Sequence, residues 1–223
     1  VLQAYLPDAH VWQQNLTEWA KDRVAKGGSP IKVRLVKGAN HEMEKTEASL
    51  RGWKLATYTD KIDTASNYKI MAEYALKPEN AKAVNLGAAS HNLFELAYAL
   101  ELAKEHDVLE YFSLEMLEGM SEAARIAISQ VSEKNVILYA PIAGKDQFTN
   151  AIAYLVRRLD ENTSEDNFMR YSFGLTVNSD EWNMLKDKCI QSFENREGLF
   201  IGQKRKQNRL DEHWDDFEGG TYH

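Results

Sequence analysis

Segments typical of strands alternate with segments typical of helices along most of the chain, and this alternation limits the fold more than any other feature. Apolar runs that predict strands occupy residues 1–6, 32–37, 84–90, 112–117 and 136–139. Amphipathic segments that predict helices occupy residues 10–26, 66–76, 92–104, 121–133 and 147–161. Such alternation is typical of βα units and predicts a parallel sheet. The runs 84–90 and 136–141 are apolar enough to predict strands that are buried on both faces.

Composition excludes several classes of protein. With 223 residues, 43% of them hydrophobic, the chain is long enough for one sizeable core. A net charge of −7 argues against nonspecific nucleic-acid binding, which needs a basic face. The single cysteine, Cys189, excludes an internal disulfide framework and is typical of a reducing compartment. The first residues, VLQAYLPD, lack an initiating Met and the charged start of a signal peptide, so we interpret residue 1 either as an artificially chosen boundary or as the start of an internal fragment.

Two adjacent arginines, Arg157 and Arg158, lie near the end of the helix predicted over residues 147–161. Neighbouring helical residues point about 100° apart, so both guanidinium groups can converge only on a group that lies beside the helix. Paired guanidinium groups suit a carboxylate or a phosphate. A solvated helix end, where the helix dipole favours cations, is the alternative interpretation. The residues alone leave both interpretations open.

Arg34 and Lys37 lie on or just after the second predicted strand, whose other residues are apolar. In an α/β barrel the carboxyl ends of the strands face the active site, so cations there suggest an anionic or electron-rich ligand. Gly38 and Ala39 follow and would let backbone N–H groups approach that ligand closely. Charges that simply alternate out of a half-buried strand are the competing interpretation.

Polar residues also follow or precede other predicted elements. Thr59, Lys61 and Thr64 lie in a predicted loop before a helix, where they could hold a pyrophosphate or a ribose; a helix-capping turn is the alternative. His91 and Asn92 follow the third predicted strand. A lone histidine is more often a structural hydrogen-bonding group, and no second histidine lies at metal-binding spacing, so no metal site is predicted.

Eight short blocks follow one another along the chain: QAYL (3–6), RLVKGAN (34–40), TxKxxT (59–64), NYK (67–69), SHN (90–92), EGM (118–120), YAP (139–141) and AYLVRRLxEN (153–162). On these blocks and their order the chain resembles the proline dehydrogenases, in particular the proline dehydrogenase half of the bifunctional proline utilisation A enzymes. A single block is weak, whereas the ordered set is specific and spans about residues 1–170.

The resemblance implies an α/β fold, a (βα)8 TIM-like barrel, although five βα units are too few to close one. Residues 1–170 would form the C-terminal part of the barrel, with strands 4 to 8, and a missing N-terminal barrel segment would supply the first three strands. Residues 171–223 would form a helical and charged connector toward a downstream domain. Cys189 lacks the strand and glycine signals expected around the catalytic cysteine of an aldehyde dehydrogenase.

The activity implied by the resemblance is FAD-dependent oxidation of L-proline to 1-pyrroline-5-carboxylate by hydride transfer to flavin N5, the first step of proline catabolism. A membrane quinone or another acceptor would take the electrons. The protein would be a cytoplasmic homo-oligomer, with a peripheral position at the inner membrane as the alternative. Two other functions stay open. One is a catalytically silent barrel fragment; the other is a different (βα) enzyme that binds a phosphorylated anion through Arg34, Lys37, Arg157 and Arg158.

The resemblance also assigns roles to individual residues, with Arg34 as the catalytic residue beside the reactive flavin nitrogen. The residues implied to bind FAD are Gln3, Arg34, Val36, Lys37, Gly38, Ala39, Thr59, Lys61, Thr64, His91, Asn92 and Glu161. The residues implied to bind proline are Asn40, Leu117, Tyr139, Tyr154, Arg157 and Arg158, with both arginines on the substrate carboxylate. Two positions depart from the common pattern: Asn40 stands where tyrosine is frequent, and Ala65 where an acid is frequent.

Overall fold

Five parallel strands form one sheet in the computed structural model, which describes residues 1–165 and 167–206, and of Asp160 and Glu161 only the backbone. The strands are β1 (Leu2–Gln3), β2 (Ile31–Val36), β3 (Val84–Ala89), β4 (Phe112–Leu117) and β5 (Ile137–Tyr139). They lie side by side in chain order. The α/β class and the parallel sheet are therefore confirmed. Within the described residues the sheet is open, with β1 and β5 as its edges, and closure into a barrel stays a proposal.

Nine α-helices lie within the described residues. They are α1 (Ala9–Ala25), α2 (His41–Leu50), α3 (Lys61–Ala75), α4 (Pro78–Ala81), α5 (Leu93–Glu105), α6 (Glu122–Ser132), α7 (Phe148–Thr163), α8 (Phe168–Ser172) and α9 (Asp180–Glu194). The five helices predicted between and after the strands are α1, α3, α5, α6 and α7. Helix α3 begins at Lys61, five residues before the predicted start, because the side chain of Asp60 caps it by accepting a hydrogen bond from the Ile62 N–H at 2.8 Å.

The two faces of the sheet differ in chemistry, because successive side chains of a strand point to opposite faces. On one face Leu35, Leu86 and Leu114 are buried in a core that includes Tyr68 of α3 and Leu96 of α5. The other face is polar on the central strands and carries Lys32, Arg34, Asn85, Ser113 and Glu115. Helices therefore cover the apolar face, and the polar face lies on the opposite side.

The prediction that residues 136–141 form a strand buried on both faces is wrong, whereas the burial of residues 84–90 is largely confirmed. Ile137, Leu138 and Tyr139 are 39%, 39% and 37% exposed. Strand β5 pairs with β4 on one side only, and no described strand lies on its other side. Central strand β3 has neighbours on both sides, which is why most of its side chains are buried. The apolar run of β5 is thus an uncovered sheet edge.

The segment after α7 packs back onto the βα units. The Trp182 ring of α9 lies 4.9 Å from the Phe94 ring, and the Phe193 ring lies 4.8 Å from that of Tyr98, both on α5. Farther along, the N–H of Gly202 donates a hydrogen bond to the Pro7 carbonyl at 3.2 Å. Residues 180–202 therefore lie along the outer, helical side of the sheet. No described helix is both long and apolar enough to cross a bilayer.

Candidate active site

The carboxyl ends of the five strands meet at one edge of the sheet, and most of the predicted site residues lie there. Gln3 at the end of β1 lies opposite Val36 at the end of β2. Leu117 at the end of β4 lies opposite Tyr139 at the end of β5. Because neighbouring strands lie about 4.8 Å apart, this register brings residues far apart in sequence onto one surface.

Arg34 is held by contacts to two other strands. Its Nε lies 3.1 Å from Oε2 of Glu115 on β4, and its guanidinium carbon lies 3.8 Å from the centre of the Tyr139 ring on β5. The second oxygen of Glu115, Oε1, lies 2.7 Å from Nζ of Lys32. The Glu115 side chain is fully buried, whereas that of Arg34 is 20% exposed. Arg34 thus presents a fixed cation near the ends of β2 and β5.

Lys37 belongs to a second charged cluster, which links the sheet to three helices. Its Nζ donates a hydrogen bond to Oε1 of Glu95 at 3.0 Å, and the buried Lys69 Nζ contacts both oxygens of the same carboxylate at 3.0 Å. Lys69 also donates to Oγ of Ser192 on α9 at 2.7 Å. Burial by itself would raise the pKa of Glu95, but the two ammonium groups outweigh it and lower that pKa. Glu95 is therefore an ionised group that binds Lys37.

The turn after Lys37 depends on glycine. Gly38 has a φ of +125°, and a Cβ there would lie 2.4 Å from Cγ of Tyr5, so neither the backbone nor the space admits a side chain. Ala39 is half-buried. Asn40 is exposed and begins α2 without a capping bond from its side chain. Gly38 therefore lets the chain pass close to the end of β1.

His91 is a neutral hydrogen-bond acceptor at the end of β3. Its Nε2 accepts the Leu117 N–H at 3.1 Å, which places the ring proton on Nδ1. Burial, together with the charges of Arg158 and Arg34, lowers the pKa of His91 to about 4. The Nδ1 atom is buried and has no hydrogen-bond partner among the described residues. Asn92 has a structural role, because its Oδ1 accepts the Phe94 N–H at 3.0 Å and caps α5.

The paired arginines of α7 contact different partners. Arg157 Nη1 donates to Sδ of Met43 on α2 at 3.4 Å. Arg158 lies with its guanidinium carbon 5.2 Å from the Tyr154 ring, and its charge acts on His91 at the end of β3. The two guanidinium groups thus contact different elements, Arg157 helix α2 and Arg158 its own helix, and the charge of Arg158 acts on the end of β3. The side chain of Glu161, a predicted cofactor-binding group, lies outside the described residues.

Thr59, Lys61 and Thr64 were predicted in a loop, but Lys61 and Thr64 lie in the first turn of α3. The predicted loop is shorter because the Asp60 cap starts the helix at Lys61. Lys61 Nζ donates to Oγ of Ser164 at 3.4 Å, and Thr64 is buried with its hydroxyl 3.5 Å from the Asp60 carbonyl. This corner joins a helix N-terminus, a cation and the segment just after α7.

Four charged residues of the site were missed from the sequence: Lys32, Lys69, Glu95 and Glu115. One signal was available, since Glu115 interrupts an apolar run that is otherwise typical of a strand. The partner of each charge comes from another element, and nothing local indicates it. Among the described residues no group of three or more His, Cys, Asp or Glu side chains could hold a metal ion.

A cavity of about 520 Å³ lies away from the strand ends. It is lined by Gly52, Trp53, Lys54, Gln203, Lys204, Arg205 and Lys206. None of the predicted site residues lines it or the second cavity, of about 320 Å³ beside Tyr58. At the strand ends, the side chains of β5 are exposed within the described part of the chain.

Comparison with known proteins gives one consistent result. The sequence model of the proline dehydrogenase family matches residues 1–171. The bifunctional PutA proteins of Salmonella typhimurium and Escherichia coli are each 25% identical over 205 residues, which is 89% of this chain and 15% of the relative. The chain thus spans about 15% of the length of these curated relatives.

Solved structures of PutA are similar to the chain over nearly its whole length. The structure from Corynebacterium freiburgense is 39% identical with a TM-score of 0.78, over 93% of this chain and 19% of that one. The structure from Bdellovibrio bacteriovorus, inactivated by N-propargylglycine, is 34% identical with a TM-score of 0.73, over 96% of this chain and 20% of that one.

Proposed function

The chain belongs to the proline dehydrogenase family, and we propose from this premise that it carries the C-terminal part of a flavin-dependent barrel that oxidises L-proline to 1-pyrroline-5-carboxylate. The match of the family model to residues 1–171 carries the proposal. The PutA relatives, which are similar to it over 89% or more of the chain, support a place in a bifunctional protein of proline metabolism.

The charge distribution at the strand ends supports this substrate. Proline is a small zwitterion, so its carboxylate requires cationic donors, while apolar and aromatic walls surround its ring. Arg157 and Arg158 would bind the carboxylate. The charge of Arg158 already contributes to lowering the pKa of His91, which lies just after β3. Tyr139, Tyr154, Leu117 and Asn40 would form the walls. The exposed edge at β5 leaves this region accessible from the polar face.

The residues present also fit FAD. The buried Nδ1–H of His91, just after β3, has no partner among the described residues, and a polar acceptor of the ligand would satisfy it. Lys61, Thr59 and Thr64 surround the N-terminus of α3, which suits a pyrophosphate. Gln3, Arg34, Val36, Lys37, Gly38, Ala39 and Asn92 would complete the flavin site. FAD, when bound there, supplies the hydride acceptor.

The protein's own contribution is orientation and electrostatics. Arg34, fixed between Glu115 and Tyr139, places a cation at the sheet edge without a further change of conformation. Neutral His91 accepts the Leu117 N–H and so fixes the backbone of a wall residue. Lys37 is held by ionised Glu95 and keeps a defined position at the end of β2. These groups would hold the substrate and the cofactor side by side.

Several further properties belong to the same proposal. The strands that would close the barrel would come from an upstream segment or from another chain. Residues 171–223 would connect to a downstream domain, and part of that range lies outside the described residues. A quinone or another acceptor would reoxidise the flavin, and the protein would act as a cytoplasmic homo-oligomer with peripheral access to the inner membrane.

The test is made on the full-length protein. A flavin absorbance spectrum that L-proline bleaches under anaerobic conditions is expected. Proline methyl ester, which lacks the anionic carboxylate, should bleach it far more slowly, because the arginines then have no anion to bind. Colourless protein that takes up no FAD would refute the proposal. It would favour the silent fragment, or a different (βα) enzyme for phosphorylated anions, which inorganic phosphate binding would reveal.

A further inference from the structure

Glu115 is a fully buried carboxylate on the polar face of the sheet, and three charged or polar side chains lie close to its oxygens. Oε1 lies 2.7 Å from Nζ of Lys32 and 3.4 Å from the Ser113 hydroxyl, and Oε2 lies 3.1 Å from Nε of Arg34. An ionised group can remain buried only when cations compensate for its lost hydration. Lys32 and Arg34 supply that compensation, so the three residues form one charged unit with a net charge of +1.

The carboxylate reaches across an intervening strand. Glu115 lies on β4 and both cations lie on β2, with β3 between them. At the crossing point β3 has Gly87, which lies directly opposite Arg34 in the sheet register. A Cβ at Gly87 would lie 2.0 Å from Oε1 of Glu115. The absence of a side chain at this position is therefore what permits the contact between β4 and β2.

The contact fixes one side of the Arg34 guanidinium group. Glu115 engages Nε, and the Tyr139 ring lies against the plane of the same group. Arginine has many rotamers and loses considerable side-chain entropy when it is ordered. Because an anion and an aromatic ring already hold the Arg34 side chain, this entropy is lost before any ligand binds.

We propose that Glu115 is a positioning residue that holds Arg34 at the strand ends and reduces the positive charge there by one unit. The inference rests on the proposed function, because the position of Arg34 affects catalysis only if flavin and proline bind beside it. Glu115 itself does not contact either molecule in this scheme, since its side chain is fully buried beneath the two cations. Its effect passes through Arg34.

Charge and position can be separated by three variants of the full-length protein. Glu115→Gln raises the local charge from +1 to +2, whereas Lys32→Met lowers it to zero and leaves Arg34 paired. The double variant restores +1 but lacks the anchor of Arg34. Glu110→Gln, an exposed carboxylate at the opposite end of β4, is the matched control. The readouts are the midpoint potential of the bound flavin and the kcat/KM for proline.

Opposite shifts of the potential are expected: more positive in Glu115→Gln and more negative in Lys32→Met, because a nearby cation stabilises the reduced, anionic flavin. The kcat/KM should fall about tenfold or more in Glu115→Gln, which corresponds to one charge-assisted contact. In the double variant the potential should return close to the wild-type value while kcat/KM stays low. The control should match the wild type in both measurements.

Each other outcome overturns part of the proposal. Shifts of the same sign, or no shift in either single variant, would refute the charge effect, and full recovery of kcat/KM in the double variant would refute the positioning role. If Glu115→Gln does not fold, Lys32→Met and the double variant still test the charge effect and the positioning role. Neither of them leaves Lys32 and Arg34 side by side without an anion. A wild-type protein without flavin would refute the proposed function, whereas an active wild type with an unchanged Glu115→Gln variant would refute this inference alone.

Discussion

Replacing Glu95 with glutamine should destabilise the protein more than replacing either lysine that contacts it. Glu95 is 2% exposed and Lys69 is fully buried, whereas the Lys37 side chain is 31% exposed. Glu95→Gln removes the carboxylate that pairs with Lys69, and leaves two ammonium groups facing a neutral amide. Lys69→Met leaves a balanced pair of Lys37 and Glu95.

The magnitude follows from the distances. Both ammonium nitrogens lie 3.0 Å from the same oxygen of Glu95, so they are no more than about 6 Å apart. At an effective dielectric constant of about 20, two like charges at that separation repel by about 3 kcal/mol. Glu95→Gln should therefore cost about 3–5 kcal/mol, the range found when one partner of a buried ion pair is removed. Lys69→Met, which loses contacts to a charged group but strands no charge, should cost about 1.5–3 kcal/mol.

Hydrogen exchange of the peptides that cover α3 and α5 measures this locally in the full-length protein, where a single global unfolding transition is not expected. The exposed pair of Lys104 and Glu101 on the same helix, at 2.8 Å, provides the control, and Glu101→Gln should change the free energy of opening by less than about 1 kcal/mol. The double variant Lys69→Met with Glu95→Gln should recover part of the loss. A Glu95→Gln cost equal to that of the control, or smaller than that of Lys69→Met, would refute the reasoning.

The site gives three more expected outcomes. In steady-state kinetics of the full-length flavoprotein, Arg157→Met and Arg158→Met should each raise the KM for proline about tenfold to hundredfold, because a charge-assisted bond to a carboxylate contributes about 1.5–3 kcal/mol. If both variants kept normal kinetics and normal flavin content, the helix end would be cationic without binding the substrate. FAD should be released by denaturation, since the proposed site has no cysteine to bind it covalently, and flavin that stays with the precipitate would contradict this. The pKa of His91 falls from 6.5 in the unfolded chain to about 4, so the unfolded state binds more protons between these values and stability is lost as pH falls from 6.5 toward 4. His91→Gln should flatten that loss in the free energy of opening of the peptides that cover β3 and β4, measured by hydrogen exchange at pH 5 and pH 7 after correction for the intrinsic exchange rate. An equally steep loss would show that His91 is not the group responsible.

The periodicity of the sequence predicted most of the secondary structure because the central elements, such as β2, β3, α3 and α5, bury one face in the core. Residues 112–117 were predicted as a strand and form β4 with the same limits. Helix α2 was not predicted, and the reason is physical: of its ten residues only Ala48 is buried, so its sequence carries no apolar stripe. Strand β1 has only two residues, Leu2 and Gln3, where six were predicted. Propensity by itself sets such limits poorly when a strand lies at the edge of a sheet.

The cations of the site could be located from the sequence, whereas their partners could not. Arg34 and Lys37 stand out as charges in an apolar strand, and the strand-end rule for α/β folds gives them a place. Glu115 and Glu95 reach them only through the register of the sheet and the packing of α5. These contacts join residues far apart in the chain, and a single sequence does not indicate which distant residues contact each other.

The exposed edge of the sheet leads to a last prediction, that residues 1–223 by themselves self-associate. Strands β1 and β5, which lie within the predicted strands 1–6 and 136–139, belong to one parallel sheet as predicted, and they form its two edges among the described residues. Beside β5, the apolar face of α7 is also uncovered, with Phe148 62% and Leu159 65% exposed. Unpaired backbone groups next to exposed apolar side chains favour pairing with another chain.

Sedimentation velocity over a range of concentrations should therefore show association of residues 1–223. Leu138→Lys at the β5 edge should reduce this association, and co-expression with the upstream segment should abolish it. The exposed polar control Gln130→Lys should leave association unchanged. A monodisperse chain that melts cooperatively as a monomer would show that the sheet edges are covered in another way, and the proposal of a barrel completed from outside residues 1–223 would then fail.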